Sequence, residues 1–126
     1  MLNETIKTFG RKGEDLALAH LMSLGYDIIA QNYFSSYGEI DLIAKHKNLL
    51  IFVEVKSRSS SFEAAFSSVS VSKQKKLAKT AMQFLSRNKI YEEMFTRFDV
   101  IAVVKTKSGE YKLQHMQDAF QPSYYY

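Results

Sequence analysis

Asp41 lies in an alternating segment, Glu39 to Lys45, while Glu54 and Lys56 close an otherwise oily run, Leu49-Leu50-Ile51-Phe52-Val53. Burying charge is expensive unless it is paired or bound to a cation. These side chains are therefore either an ion-pair network or a site. Lys45-His46-Lys47-Asn48 reads as the turn between the two segments, with Asn48 suited to the left-handed conformation such turns require. A two-residue Lys47-Asn48 loop sets Asp41 opposite Glu54 and Glu39 opposite Lys56. A register slip of two residues changes the partners but not the face. Two carboxylates brought together repel, and the usual remedies are a raised pKa or a divalent cation. Hard oxygen ligands suit Mg2+ or Mn2+, an ion that acidifies bound water and polarises a phosphoryl oxygen. A neighbouring lysine offsets the charge that develops on a phosphate. Asp, then Glu-x-Lys on the adjoining strand, is a complete set for hydrolysing a phosphodiester. The rival reading is structural, since a cross-strand pair such as Glu39 with Lys56 stabilises a sheet by about 0.2–1 kcal/mol. Spacing alone leaves both open.

The elements that must position these residues follow from periodicity. Ile6, Phe9, Gly13, Leu16, Ala17, Leu21 and Leu24 recur at helical spacing, predicting an amphipathic helix over 4–24 that Gly25 ends. Gly10 and Gly13 inside it cost about 1 kcal/mol each relative to alanine, which points to close approach by another element or to a start near Arg11. A short strand is expected from Asp27 to Asn32. In the next, Glu39 to Lys45, Ile40, Leu42 and Ala44 share one face and Glu39, Asp41 and Ile43 the other. Leu49 to Lys56 is apolar on both faces until its end, as in a central strand. Residues 57–70 form a serine-rich loop with a short helical piece, Phe62 to Phe66. Ser72 caps a second helix over 73–88 with Leu77, Ala81, Phe84 and Leu85 inward. Strands follow at Phe98–Lys105 and Tyr111–His115 around a Ser108-Gly109 turn. The order is helix, three strands, helix, two strands, which predicts an α/β fold: a mixed sheet of about five strands flanked by helices.

The chain's 126 residues suit one domain over 1–120, with 121–126 a flexible tail. No cysteine is present, which excludes disulfides, thiolate metal sites and cysteine nucleophiles. The first fifteen residues hold no apolar core fit for a signal peptide, and no apolar run approaches the length needed to span a bilayer. A cytoplasmic protein without membrane contact is expected. Net charge is +4 and the isoelectric point about 9.2, a mild lean toward a polyanionic partner.

The segments RKGEDLALAHLMSLGYDIIAQNY, GEIDLIA, FVEVKSRSS, SKQKKLAKTAMQFL, RFDVIAV and HMQDAF follow one another as in the YraN-type family of uncharacterised bacterial proteins. The resemblance spans about Arg11 to Phe120. That family resembles the restriction-endonuclease superfamily, whose signature is written PD-(D/E)-x-K, and is likened to Holliday-junction resolvases. The resemblance implies a restriction-endonuclease-like fold and a metal-dependent endonuclease acting on DNA, branched or repair and recombination intermediates included. It assigns Asp41 and Glu54 as metal-binding acids, the Val55 carbonyl as a further ligand of Mg2+ or Mn2+, and Lys56 as the catalytic lysine. Glu14 matches an acid that approaches the same site, and Glu39 is an accessory acid or an ion-pair partner. Two departures bear on substrate contacts. Phe34 follows Asn32-Tyr33 where the family often has arginine, and Glu63-Ala64 replaces a glycine pair.

Lys73, Lys75, Lys76 and Lys79 open the second helix against its macrodipole, and Arg58 follows the oily strand. Phosphate contacts by Lys73, Lys76 and Arg58 are one reading; a solubilising helix face is the other. Tyr33 and Tyr37 either stack on an unpaired base or pack at a core edge. His20, His46 and His115 have no ligand-like spacing, and no phosphate-cradling glycine loop or nucleophile elbow occurs. Nucleic acid, DNA before RNA, is the expected partner, and a homodimer would suit a two-fold branched substrate. The rival functions are a nucleic-acid-binding module that cuts nothing and a protein-interaction adaptor.

Overall fold

The computed structural model describes residues 5–58 and 61–122. Its elements are α1 (Ile6–Ser23), β1 (Asp27–Phe34), β2 (Glu39–His46), β3 (Leu49–Arg58), α2 (Phe62–Ser67), α3 (Val71–Arg87), β4 (Phe95–Lys105) and β5 (Tyr111–Phe120), with a 3-10 turn at Lys89–Tyr91. The strands form one sheet in the order β1-β2-β3-β4-β5. All neighbours are antiparallel except β3 and β4, which are parallel. A parallel pair needs a long crossover, and α2 and α3 supply it. None of the helices is long and apolar enough to cross a membrane, among the described residues.

Helix α1 begins where Thr5 Oγ1 accepts from the Thr8 amide at 3.1 Å. It ends where Gly25, at φ +82°, takes the left-handed turn that lets the Tyr26 amide donate to the Leu21 carbonyl. Strand β3 is covered on both faces, Leu50 to Val55 all being buried. On one face Leu50 and Phe52 pack with Leu77, Ala81 and Phe84 of α3; on the other Ile51, Val53 and Val55 pack with Ala17 and Leu21 of α1. Stacked rings, Phe52 on Phe98 at 5.3 Å and Phe98 on Phe120 at 5.1 Å, carry the first core across three strands.

Several local expectations are corrected. Ile40 does not share a face with Leu42 and Ala44: it packs with Ile43 on the α3 side, while Leu42 and Ala44 face α1. The pairing of β2 with β3 stops beyond Leu42, and simple alternation fails there. The positive φ of the β2–β3 turn belongs to Lys47, at 57°, not Asn48. The cap of α3 is Ser70, whose Oγ accepts from the Lys73 amide, and Ser72 falls within the first turn. Strands β1, β4 and β5 run longer than expected. β5 continues past His115 through a bulge where Asp118 has φ 52°, an irregularity that breaks the sequence pattern. Beyond Pro122 the expected tail lies outside the described residues.

A buried ionic knot ties α1, β4 and β5 together. Asp99 is fully buried. It accepts from Arg97 Nε at 2.8 Å and Nη2 at 2.9 Å, from His115 Nε2 at 2.7 Å and from the Asp118 amide at 2.9 Å. Burial alone would push its pKa up, but these donors, His115 foremost, outweigh it and hold the carboxyl below its usual range. His115 Nδ1 meets His20 Nε2 of α1 at 3.1 Å, and Arg97 Nη2 also donates to Tyr26 Oη. Asp99→Ala leaves the Arg97 guanidinium without its carboxylate and is expected to destabilise the fold by about 3–5 kcal/mol. Urea denaturation measures this, and a loss below about 1 kcal/mol would refute the knot's importance.

Candidate functional site

The β2–β3 ladder pairs His46 with Leu49, Lys45 with Leu50, Ala44 with Ile51, Ile43 with Phe52 and Leu42 with Val53, and goes no further. This is the register a two-residue Lys47-Asn48 loop requires. The next rungs, which would set Asp41 against Glu54 and Glu39 against Lys56, do not form. Asp41 Oδ2 instead accepts from the Val55 amide at 2.8 Å. A side-chain oxygen thus takes the donor that a β2 carbonyl would otherwise satisfy, and the two strands fork around it.

Glu54 sits in the crotch of this fork, only 5% exposed. Lys56 Nζ stands 3.9 Å from Glu54 Oε1, and Lys73 Nζ, from the first turn of α3, 3.8 Å from Oε2. Neither is close enough to bond, and the buried Oε2 has no hydrogen-bond partner among the described residues. Burial, then the charge of Asp41, pushes the Glu54 pKa up to about 8, against the pull of the two lysines. From α1, Glu14 brings a third carboxyl, its pKa pushed up to about 7 by burial and then by Asp41. Glu39 is raised too, by burial and the charge of Asp41.

Glu14, Asp41, Glu54, Val55, Lys56, Ser57 and Arg58 line one open cavity of about 460 Å³. Its remaining wall is the start of α1, including Lys7, Phe9, Gly10 and Arg11. Lys7 and Arg11 escaped the sequence reading, although a signal was there: with Glu14 they recur at i, i+4 and i+7, one helical stripe. Lys73 and Glu39 lie beside the acids but outside that lining. Lys76 is exposed on α3, and Lys79 covers the ring of Tyr37 at 5.4 Å. Tyr33 packs edge-on against Phe84 in the core. Phe34 is 68% exposed, and Glu63 and Ala64 belong to the first turn of α2.

Gly13 explains how α1 comes so near. A Cβ there would fall inside the Ser57 hydroxyl and 3.3 Å from Ser57 Cβ. Only glycine lets the helix lie on the end of β3, and the next residue is Glu14. The other internal glycine, Gly10, has open space around it.

Do these residues suit a divalent cation? In kind they do: three carboxyls, one with an orphaned buried oxygen, gather at one cavity and lack enough positive charge to be comfortable as anions. They are not a finished cage, since among the described residues no group of three His, Cys, Asp or Glu side chains is placed to hold a metal ion as it stands.

Residues 13–103 match the model of an "Uncharacterised protein family UPF0102". A UPF0102 protein of Natranaerobius thermophilus is 46% identical over 116 residues, covering 90% of this chain and 98% of its own. One from Acinetobacter baumannii (strain AYE) is 42% identical over 123 residues, covering 88% and 92% respectively. One from Clostridium botulinum (strain Hall) is 37% identical over 117 residues, covering 91% and 95%.

Gly13→Ala is expected to cost about 1–3 kcal/mol by overpacking, and the double variant with Ser57→Gly to recover most of it. Equal stabilities of Gly13→Ala and wild type in urea would contradict the close approach. The raised acids give a pH signature in EDTA. Folded Glu54 and Glu14 keep protons above the ordinary 4.5 of a glutamate. Their contribution is therefore full below that value and lost as pH rises through about 7 to 8. The thermal midpoint of Glu54→Gln relative to wild type should rise across that window; a constant difference would rule the shift out.

Proposed function

We propose, for a chain that belongs to the uncharacterised protein family UPF0102, the activity of a divalent-cation-dependent phosphodiesterase acting on DNA, in the manner of restriction-endonuclease-like enzymes. The observation that carries it is the fork: buried, proton-retaining Glu54 beside Asp41, with Lys56 at 3.9 Å, at the floor of an open cavity. A structural ion pair has no need of a cavity or of a second and third acid.

Asp41, Glu54 and the Val55 carbonyl would hold Mg2+ or Mn2+, which when bound supplies positive charge to a phosphoryl oxygen and acidifies water. Asp41 is held by its own bond to the Val55 amide, beside the Glu54 and Glu14 carboxyls that share a side-chain hydrogen bond with it. Lys56 reaches into the same space; its ammonium orients the attacking water and balances charge that develops on the phosphate. The Glu14 carboxyl, titrating about 7, is suited to accept a proton from that water near neutral pH. Lys73, 3.8 Å from Glu54 Oε2, adds positive charge on the α3 side without bonding it. Arg58, which lines the cavity and donates from Nη1 to the Ser57 carbonyl at 2.9 Å, would offer its remaining donors to a phosphate.

The test is cleavage of labelled duplex, single-stranded, flapped and four-way-junction DNA with Mg2+, Mn2+ or EDTA. Cutting should require the cation and fall at least about 100-fold in Asp41→Asn, Glu54→Gln and Lys56→Ala, the scale on which one electrostatic catalytic group acts. Cutting that survives all three variants would refute the assignment. Binding of these DNAs without any cutting would reassign the chain as a nucleic-acid-binding module.

A further inference from the structure

The cavity mouth is walled by α1, not α3, and this fixes the side from which a long substrate arrives. Beyond Phe9 on that wall the surface continues to Tyr111, the first residue of β5, whose ring meets Phe9 edge-on at 5.9 Å. Lys12 Nζ of α1 lies 5.0 Å and Lys105 Nζ of β4 5.7 Å from the Tyr111 ring centre. Strand register brings the same end of the sheet into line, Arg58 beside Val104 and Val104 beside Lys112. From the acids to Tyr111 the path is roughly 15–20 Å by strand rise and spacing.

We infer that an unpaired polynucleotide strand leaves the acid cavity over Phe9 and lies on the Tyr111 platform, its phosphates held by Arg11, Lys12 and Lys105. The inference rests on the phosphodiesterase reading and names the form of its substrate. Cations interleaved with aromatic rings are what single strands need, because each unstacked base offers a ring face and each nucleotide a phosphate. Duplex gives no such faces. The ring also holds both ammonium groups in place before a phosphate arrives, so less side-chain freedom is lost on binding. On α3, Lys73 is turned to Glu54. None of the cavity wall comes from that helix.

The experiment is fluorescence anisotropy of a labelled oligothymidylate at several salt concentrations, with the full chain in EDTA. Lys12→Ala/Lys105→Ala should weaken binding about tenfold and lower the salt slope by about 0.7 for each lysine. Tyr111→Leu should weaken it about tenfold with the slope unchanged, circular dichroism confirming that the variant folds. Lys76→Ala/Lys79→Ala should change affinity less than about twofold. The inference is overturned if the α3 pair matters as much as the α1-side pair, or if a duplex of the same length binds as tightly as the single strand. Mn2+ binding by Lys12→Ala/Lys105→Ala, measured calorimetrically beside them, should match wild type. Strand binding therefore stands or falls apart from metal dependence, and a failure of either reading shows as its own result.

Discussion

Asp41 Oδ2 bonded to the Val55 amide is the interaction on which the rest of the site depends. A β-ladder normally satisfies each backbone donor with a backbone acceptor. Here a carboxylate substitutes, the β2–β3 ladder stops at Leu42, and the end of β3 faces a cavity walled by the start of α1. Glu54 is then buried where neither lysine is near enough to bond it. Parallel pairing with β4 still fixes its backbone opposite Val100, so it cannot swing out to water. The consequence is a carboxyl that keeps its proton to about pH 8 in the absence of a counter-cation. Keeping the proton is one relief of this crowding, and the divalent ion proposed for the site is the other.

Two further constraints keep the fork in register. Gly13 lets α1 settle on Ser57, bringing Glu14 into the cavity. At the other end of the same helix, His20 ties it to His115, and through His115 to the Asp99–Arg97 knot. The helix is therefore pinned near its start by the absence of a side chain and near its end by a buried hydrogen-bond chain. Substitutions at either end should be felt at Glu14 without touching it.

Much of this was legible in the residues. The Lys47-Asn48 loop set the β2–β3 register, because loop length and alternation together leave few alternatives. The all-apolar run of Leu49 to Val53 marked the central strand, and Gly13 announced a close approach through its cost within a helix. What escaped depends on three-dimensional divergence. That the ladder stops at Leu42, with Asp41 accepting from the Val55 amide, is a three-dimensional feature that no period records. Ile40, beyond that end, was misplaced with it. His20 and His115 lie on elements far apart in sequence, and no spacing rule reaches across them. The end of β5 was hidden because the Asp118 bulge and its exposed residues erase the alternation that identifies a strand.

The central claim is that the fork carboxyls are a divalent-cation site rather than a closed ion-pair network. Calorimetric titration of metal-stripped protein with Mn2+, repeated on Asp41→Asn and Glu54→Gln, tests it most directly, since both replacements keep the side-chain shape. The account requires one Mn2+ site in the wild type that disappears in both variants. No heat of binding in the wild type, or binding unchanged by both substitutions, would contradict it.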